Sequence, residues 1–265
     1  MNAALTRRGH SIGVIVARQG ARLRKVRRAA RAASYRTALT SGVLAGTEHE
    51  HVLRRLVVDG IIDVGANRGQ FSLVASEIFP GCPIIAIEPL AGPAAIFRRV
   101  LAGRAVLHEC AVGRTEGELE IFETSDDDSS SLLQPGAAQL KLSAGSAVVA
   151  KRRVKVRTLD DVTSDLGATD LLLKLDVQGF EMEALAGASR LLATQVRYVY
   201  VEASFTELYL GQGLAHEVIR FLDTREFSLL SMSNPTVADG EVLQADFLFV
   251  HRRKGAAAQP MEQAT

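Results

Sequence analysis

The sequence predicts an α/β domain with a mostly parallel sheet and helices on both of its faces. From residue 61 to residue 225, short apolar runs alternate with stretches whose apolar residues recur at helical spacing, as in parallel strands joined by helices. The first apolar run, 61–64, ends in a turn with two glycines, and a helical pattern begins at once. A strand, a tight loop and a helix start form the part of such a fold that holds a nucleotide-like ligand.

Each element is predicted from its own pattern: short apolar or alternating runs for strands, longer amphipathic stretches for helices. Residues 154–158 alternate, which indicates a half-buried or edge strand, whereas 137–150 show no clear period. The last two strands are expected to pair antiparallel. The expected strands are 61–64, 83–88, 105–112, 118–122, 154–158, 170–176, 196–202, 227–232 and 245–250, and the expected helices are 47–57, 68–79, 91–102, 180–193 and 213–225.

The composition suits one α/β domain with an extension. The chain has 265 residues, of which 47% are hydrophobic and 23% are charged, so a sizeable core is expected. No apolar run is long enough to span a bilayer. The two cysteines, Cys82 and Cys110, stand alone in or beside apolar runs. We expect them to be small core residues without a disulfide, consistent with a reducing, cytoplasmic setting.

Charge divides the chain into two parts. Residues 1–47 contain ten Lys or Arg and no Asp or Glu, so the other 21 of the 31 basic residues and all 30 acidic residues lie in the body. The acidic body gives no support for a nucleic-acid partner. The predicted organisation is a basic arm over 1–46 that is partly helical or disordered, the α/β domain over 47–252, and a disordered tail over 253–265.

The basic arm allows two interpretations. Its Arg7-Arg8 pair precedes an apolar run that is too short for a signal peptide. A basic helix over 12–35 would favour attachment to anionic lipid at the inner face of the membrane, or to an acidic partner. The alternative is a loosely ordered, solvated arm or a contact between subunits of a homo-oligomer.

Two carboxylates lie at the carboxyl ends of the first two predicted strands. Asp63 ends the first strand and Glu88 ends the second, so both are expected at the carboxyl edge of the sheet, where ligands bind. A carboxylate at the end of the second strand accepts hydrogen bonds from the hydroxyls of a ribose. Glu88 lies 19 positions after Gly69, near the separation of about 20 that is typical of a ribose-binding acid.

The loop itself distinguishes between two classes of ligand. Asn67 stands where a dinucleotide-binding loop places its second glycine, next to the pyrophosphate. The carboxylate of Asp63 would repel a pyrophosphate but would suit a cationic ligand. The residues therefore favour S-adenosylmethionine, which carries sulfonium and ammonium charges. A glycine turn that serves only helix–strand packing would leave both strand-end acids unexplained.

A second candidate site lies in the strand over 170–176. Lys174 interrupts an apolar run, and a buried lysine is costly unless it is paired. Asp176 lies two positions on and points to the same face of the strand. We expect the two to share a site at the ligand edge, although a purely structural ion pair is the alternative. Glu181 begins the next helix close enough to the loop to contribute.

Several segments occur together in the order and spacing of one known family. They are Asp63–Gln70, Glu88-Pro89, Ser129–Ser131, Lys174–Glu181 and Glu202–Tyr209. Over about residues 50–250 the chain resembles FkbM-type methyltransferases; each segment alone is a weak signal, and the combination is specific. One departure is Gln178, where the family usually has Glu. If that carboxylate binds or activates substrate, Gln178 weakens the role or shifts it to Asp176 or Glu181.

The resemblance implies a Rossmann-like class I methyltransferase fold with a mostly parallel seven-stranded sheet. It also implies S-adenosylmethionine as the cofactor and methyl transfer to a hydroxyl. The implied acceptors are a sugar of a surface glycan or glycolipid, including a lipid-linked glycan, or a polyketide-type natural product. The residues expected to bind the cofactor are Asp63, Gly65, Asn67, Gly69, Gln70, Glu88, Cys110, Ala111, Ser130 and Asp176.

Methyl transfer to a hydroxyl is helped by a base that accepts the hydroxyl proton. Asp176 is the first candidate, because its strand end should face the methyl group. Glu202, at the end of the next strand, and His216 are the second candidates, and Lys174 is expected beside Asp176. The alternative for His216 is an ordinary surface residue. No cluster of His, Cys and Asp demands a metal, so we expect none.

Two other functions remain open from the sequence. One is an NAD-dependent oxidoreductase on a similar fold. The other is a catalytically silent binding module in which the basic arm is the working part. Acceptor specificity is expected to lie in the loops over 123–150 and 203–215, where one chain offers no readable pattern.

Overall fold

The computed structural model describes residues 32–255. Ten strands form two sheets, and the larger sheet has seven strands. The strands are β1 Gly60–Val64, β2 Ile84–Ile87, β3 Val106–His108, β4 Ala111–Val112, β5 Gly117–Thr124, β6 Val148–Arg157, β7 Leu171–Leu175, β8 Val196–Ser204, β9 Phe227–Ala238 and β10 Glu241–His251.

The seven-stranded sheet has the order β3-β2-β1-β7-β8-β10-β9. All neighbours from β3 to β8 pair in parallel, and β10 pairs antiparallel with both β8 and β9. The strand order reverses direction beside β1, so the loops that follow β1 and β7 lie next to each other at the carboxyl edge. This is the predicted seven-stranded class I methyltransferase arrangement, including its antiparallel final pair.

Helices cover both faces of this sheet, and alternate residues of the central strands point into two apolar clusters. Ile62 and Leu173 belong to one cluster, whereas Ile61 and Leu172 belong to the other. The central strands are therefore apolar along their whole length. The helices are α1 Ala33–Thr40, α2 Glu50–Leu53, α3 Gln70–Ile78, α4 Ala91–Leu101, α5 Ala137–Leu142, α6 Leu159–Val162, α7 Glu181–Ala186, α8 Ser189–Thr194, α9 Ala215–Asp223 and α10 Arg252–Gly255.

Two predicted elements are divided in the structure. The expected strand over 105–112 consists of β3, which pairs with β2, and β4, which pairs with β6 of the smaller sheet. The expected helix over 180–193 is broken between α7 and α8 at Gly187. A Cβ on Gly187 would lie 2.1 Å from the carbonyl oxygen of Gly113, so this close approach needs glycine.

The smaller sheet has the order β4-β6-β5. Its central strand, β6, includes the residues predicted as a half-buried or edge strand, and most of its side chains are exposed. Three of its basic side chains pair with glutamates of β5; Lys151 Nζ, for example, lies 2.9 Å from Glu120 Oε1. After β5, α5 forms within the stretch that shows no period.

The described part of the basic arm packs against the body. Tyr35 and Ala38 of α1, followed by Val43 and Ala45, are buried in one of the two apolar clusters. The packed part of the chain therefore begins before the predicted boundary at residue 47. Most of the predicted basic helix, as residues 12–31, and the tail beyond residue 255 lie outside the described residues. Within 32–255, no helix is long and apolar enough to cross a membrane.

Candidate active site

A cavity of about 940 Å³ opens at the carboxyl edge of the parallel strands. One part of its wall contains the loops after β1 and β7, the start of the loop after β2, the β4 region and the acidic loop after β5. We call this part the cofactor half. The remaining part, which we call the far half, is formed by residues 42–44, Glu48, His49, Glu202 of β8, and Thr236 and Gln244 of the β9–β10 hairpin.

The loop after β1 is wedged between the neighbouring strands. The backbone N–H groups of Gly65 and Ala66 both donate to the carbonyl oxygen of Ile87, at 3.0 Å each. Gly65 has a φ of +73°, and a Cβ on it would lie 1.8 Å from the carbonyl oxygen of Asp176. Only glycine fits this position, because the conformation and the close approach both exclude a side chain.

Glu88 connects this loop to the end of β2. Its Oε2 accepts a hydrogen bond from the backbone N–H of Asn67 at 3.0 Å, and its Oε1 accepts one from that of Leu90 at 2.8 Å. The side chain is on the cavity wall, yet the residue is only 6% exposed. Burial raises the pKa of Glu88 to about 7, partly offset by the two backbone donors.

The acidic loop after β5 closes over the loop after β1, a contact that sequence reasoning missed. Arg68 Nε donates to Asp127 Oδ2 at 2.7 Å. Asp128 Oδ1 accepts hydrogen bonds from the side-chain amides of Asn67, at 3.0 Å, and Gln70, at 3.3 Å. Two carboxylates therefore hold three polar side chains of the loop in place. The charge complementarity of these segments was present in the sequence, but nothing there placed them together.

Asp63 lies beneath the cavity rather than on its wall. It is 0% exposed, and its Oδ2 accepts a hydrogen bond of 2.6 Å from Ser72 Oγ. Its Oδ1 lies 3.3 Å from Lys174 Nζ. The structure thus gives Asp63 no place beside a ligand, because its fully buried carboxylate is occupied by a hydroxyl and an ammonium. The residue positions Lys174.

Lys174 is held by two carboxylates and a backbone carbonyl at the seam between the halves. Its Nζ lies 3.3 Å from Asp63 Oδ1, 3.6 Å from Asp176 Oδ2 and 3.3 Å from the carbonyl oxygen of Gly65. Burial alone would lower the pKa of Lys174, but the charges of Asp63 and Asp176 outweigh it and hold the pKa above its ordinary value. The ammonium therefore stays charged, and the predicted pairing with Asp176 is present.

Gln178 joins the carboxylates of the two halves. Its Nε2 donates to Asp176 Oδ1 at 2.7 Å and to Glu202 Oε2 at 3.1 Å, and its φ is +54°. The other oxygen of Glu202 accepts a hydrogen bond of 2.8 Å from Gln244 Nε2. Burial, with added repulsion from Asp176, raises the pKa of Glu202 well above its ordinary value. An amide suits this position because it donates to both carboxylates without adding a charge.

Glu181 supports the turn that carries Gln178. Its Oε1 accepts hydrogen bonds from the backbone N–H groups of Val177, at 3.0 Å, and Gly179, at 3.2 Å. The residue is buried, and this burial raises its pKa to about 7. Glu181 is not on the cavity wall. It orients the loop after β7 and does not face a ligand.

The remaining predicted cofactor residues lie in two kinds of environment. Cys110, Ala111 and Ser130 are on the cavity wall. Gly69 is behind it, at the start of α3, where a Cβ would lie 2.5 Å from Leu101 Cδ2. Its role in the structure is close packing of α3 against α4.

His216 is exposed at the start of α9 and is absent from the cavity wall. The structure therefore does not bring it together with the other candidate bases. The loop over 203–215 is also absent from the wall. The loop contacts the wall indirectly, since the hydroxyl of Tyr209 lies 2.8 Å from Oε1 of the wall residue Gln178. Part of the loop over 123–150 does line the cavity.

The far half contains residues that sequence reasoning missed. Glu48 and His49 come from the segment before α2, and Thr236 and Gln244 come from the β9–β10 hairpin. With Glu202 they form a largely polar surface. The sequence does not distinguish Glu48-His49 from Glu50-His51, which follows it directly, and nothing indicated that this stretch reaches the sheet edge.

The cofactor half fits S-adenosylmethionine. The carboxylates of Glu88, Asp128 and Asp176 make it acidic, which suits a ligand with two cationic groups and ribose hydroxyls. A pyrophosphate would instead face Asp127 and Asp128 beside the loop. The described residues contain no group of three or more His, Cys, Asp or Glu placed to hold a metal ion.

Comparison with known proteins gives a family. The family model for the methyltransferase FkbM domain matches residues 63–229. The 2-O-methyltransferase NoeI of Sinorhizobium fredii is 28% identical over 193 residues, which cover 69% of this chain and 77% of that protein. The 31-O-demethyl-FK506 methyltransferase FkbM of Streptomyces tacrolimicus is 28% identical over 212 residues, which cover 70% of this chain and 79% of that protein.

Among solved structures, the magnesium protoporphyrin IX methyltransferase ChlM of Synechocystis PCC 6803, with bound S-adenosylmethionine, aligns with 83% of this chain and 84% of that one, at 11% identity and a TM-score of 0.42. A similarity this low adds no argument, and the assignment of the fold rests on the strand order. The family match spans the loop after β1, Glu88 and the segment after β7, and it replaces the oxidoreductase alternative. The chain belongs to the FkbM methyltransferase family and is an S-adenosylmethionine-dependent methyltransferase.

Proposed function

We propose that the protein transfers a methyl group from S-adenosylmethionine to a hydroxyl of a sugar, or of a hydroxyl-rich natural product. The observation that carries this proposal is the single cavity of about 940 Å³, in which the far half continues directly from the cofactor half. When bound, S-adenosylmethionine supplies an electrophilic methyl group on a sulfonium. The chain's own residues must then orient the acceptor and exclude water.

The polar side chains of the far half support a hydroxyl-rich acceptor. Glu202, Thr236 and Gln244 offer acceptors and donors to hydroxyl groups, and Val43 and Leu44 add an apolar surface against which the face of a sugar ring can pack. The names of both relatives, a 2-O-methyltransferase and a 31-O-demethyl-FK506 methyltransferase, describe O-methylations. They support the choice of oxygen over nitrogen or carbon as the acceptor atom.

The test has two steps. Calorimetry compares S-adenosylhomocysteine with NAD, and we expect saturable binding of S-adenosylhomocysteine alone. Transfer of radioactive methyl from S-adenosylmethionine is then measured on a panel of methyl glycosides, lipid-linked saccharides and macrolide polyols. Labelled methyl ether on a glycoside or lipid-linked saccharide supports the proposal in its preferred form, and label on a macrolide shifts the acceptor class. Saturable binding without transfer to any member of the panel would favour a catalytically silent binding module.

A further inference from the structure

The far half of the cavity contains His49, whose imidazole is held by two buried residues of the sheet. His49 Nδ1 lies 3.0 Å from the hydroxyl of Tyr200 on β8 and 3.5 Å from Asp246 Oδ2 on β10. The ring also packs edge-on against the rings of Phe71 and Tyr200. A surface histidine would not have such support, so the orientation of this ring is fixed by the fold.

The hydrogen bonds around Tyr200 determine which nitrogen of His49 carries the proton. The Tyr200 hydroxyl donates its single proton to Asp246 Oδ2 at 2.8 Å. It must therefore accept the hydrogen bond from His49, so Nδ1 carries the hydrogen and Nε2 has the free electron pair. Nε2 lies 3.9 Å from Glu48 Oε1, which is too far for a hydrogen bond.

Asp246 and Tyr200 are both buried, and the carboxylate is held in place. Asn234 Nδ2 donates to Asp246 Oδ2 at 2.8 Å. Burial, together with the charge of Asp246, raises the pKa of Tyr200, so the tyrosine keeps its proton. The series from His49 through Tyr200 to Asp246 therefore has one consistent hydrogen-bond direction, and it ends on a carboxylate.

His49 is close to the cofactor half. The centroid of its ring is 5.4 Å from that of Phe71, and Lys174 Nζ lies 5.6 Å from the same Phe71 centroid. Lys174 in turn contacts the carbonyl oxygen of Gly65 in the cofactor loop, at 3.3 Å. The imidazole and the ammonium that contacts the cofactor loop thus both pack against the ring of Phe71.

The charged and titratable groups facing His49 come from several elements. Glu48 is on its own segment, Asp246 on β10, and Lys174 and Asp176 on β7 and the loop that follows it. Burial lowers the pKa of His49, and the carboxylates only partly oppose this effect. The imidazole is therefore neutral at neutral pH and able to accept a proton.

The leading candidate base from the sequence, Asp176, is engaged on both oxygens. Its Oδ1 accepts the Gln178 amide at 2.7 Å, and its Oδ2 lies 3.6 Å from the Lys174 ammonium. Both oxygens of Asp176 therefore already have partners among the described residues. The Nε2 atom of His49 is the nitrogen that its hydrogen-bond partners leave free.

We propose that His49 is the general base of the methyl transfer and that Tyr200 and Asp246 are its positioning residues; this inference rests on the proposed function. The acceptor oxygen forms the new bond to the methyl carbon, and the electron pair of the broken C–S bond stays on sulfur, which leaves S-adenosylhomocysteine. The hydroxyl proton moves to Nε2 of His49. The resulting imidazolium is stabilised through Tyr200 by Asp246 and then releases the proton to water.

The first test needs neither cofactor nor acceptor. In protein labelled with nitrogen-15 histidine, the His49 signals are assigned from their loss in His49→Asn, and spectra are recorded at about pH 7.5. We expect a neutral ring with hydrogen on Nδ1. In Tyr200→Phe, the signal should shift toward hydrogen on Nε2, because Nδ1 loses its acceptor. A wild-type ring that is charged, or that carries its hydrogen on Nε2, would overturn the proposal.

The second test measures turnover on whichever glycoside of the panel is methylated by the wild-type protein. His49→Asn should lower kcat by at least about 100-fold, with the Kd for S-adenosylhomocysteine within about threefold of wild type. Tyr200→Phe should lower kcat by about tenfold. The matched control is His51→Asn, because His51 is exposed two positions further on and is absent from the cavity wall. We expect it to leave kcat unchanged.

The outcomes separate this inference from the proposed function. If the wild-type protein binds no S-adenosylhomocysteine, the proposed function fails. If the wild-type protein turns over and His49→Asn does too, the inference alone fails, and a large loss in Asp176→Asn would then assign the base to Asp176. If no glycoside is methylated, the first test decides the inference about His49, because the tautomer of this residue depends on the protein alone.

Discussion

The two halves of the cavity are built from the chain in different ways. In the cofactor half, the loops that directly follow β1, β2 and β7 are brought to one edge by their parallel strands, and the β4 region and the acidic loop after β5 complete the wall. In the far half, His49, Glu202 and Gln244 come from elements far apart in the sequence that meet only through tertiary packing. The difference explains why a methyl donor is readable from this sequence and an acceptor is not.

The shape of the cofactor half depends on the backbone of the loop after β1. We therefore expect the largest loss of cofactor affinity from a change at Gly65. In Gly65→Ala, the new Cβ would lie 1.8 Å from the carbonyl oxygen of Asp176, so the loop or Asp176 must move. Displacement of the loop would remove one or two hydrogen bonds to a charged ligand, at about 1.5–3 kcal/mol each, which corresponds to roughly 10- to 100-fold in affinity. We expect the Kd for S-adenosylhomocysteine, measured by calorimetry, to rise by about that factor.

The matched control for Gly65→Ala is Gly81→Ala. Gly81 has a similar φ of +81°, but a Cβ there would meet no atom within 4 Å. Its left-handed conformation alone costs about 1 kcal/mol, measured as a lower Tm, and cofactor affinity should not change. Equal losses of affinity in the two variants would show that the close approach to Asp176 is unimportant.

The contact between the two halves can be tested at Gln178, the position where the family usually has Glu. In Gln178→Glu, a third carboxylate would replace the amide that donates to Asp176 and Glu202. Loss of these donors should cost about 2 kcal/mol, or roughly 4–8 °C in Tm at pH 8. The added carboxyl has a raised pKa in the folded protein, so the destabilisation grows as pH rises above its unfolded pKa and is small at pH 4.

Thermal unfolding at several pH values measures this effect. Gln134→Glu adds the same charge at an exposed position and is the matched control. We expect its Tm to stay within about 1 °C of wild type at each pH. If Gln178→Glu is as stable as this control at pH 8, the amide bridge between the halves has no energetic importance.

Ligand binding in the cofactor half should depend on pH through Glu88. Burial raises the pKa of Glu88 to about 7, so below that pH the carboxyl holds a proton. A ribose hydroxyl donates to the ionised form, so binding expels the proton. Affinity for S-adenosylhomocysteine should therefore rise with pH, by up to about tenfold per pH unit below pH 7, and level off above it.

Calorimetry in buffers with different ionisation enthalpies counts the protons released on binding. In Glu88→Gln, we expect weaker binding at pH 8 and little dependence on pH. Asp128→Asn is the control, because burial also raises the pKa of Asp128 and its carboxyl is on the same wall. It should keep most of the pH dependence. An unchanged slope in Glu88→Gln would assign the titration to another group.

Much of the fold and the cofactor half could be predicted from the sequence, since the pattern of strands and helices and the acids at strand ends are local features. Asp63 shows where such reasoning stops. Its position at a strand end is readable, but the direction of its carboxylate depends on Ser72 and Lys174, which engage it beneath the cavity. His216 and His49 show the same limit, because one histidine is as visible in a sequence as the other. Only tertiary packing exposes the first and places the second beside Tyr200.

The smallest effect is expected from the contact between the acidic loop and the cofactor loop. Asp127→Asn removes the charge that pairs with Arg68 at 2.7 Å, in a position that is only partly shielded from water. Such a pair contributes about 0.5–1 kcal/mol, so we expect two- to fivefold weaker binding of S-adenosylhomocysteine, with a difference that shrinks at high salt. The control is Glu120→Gln, which breaks an exposed pair with Lys151 in the smaller sheet and should not affect binding. Equal affinities of Asp127→Asn and Glu120→Gln would mean that the acidic loop covers the cofactor half without stabilising it, and that the loop after β1 is ordered by the strands alone.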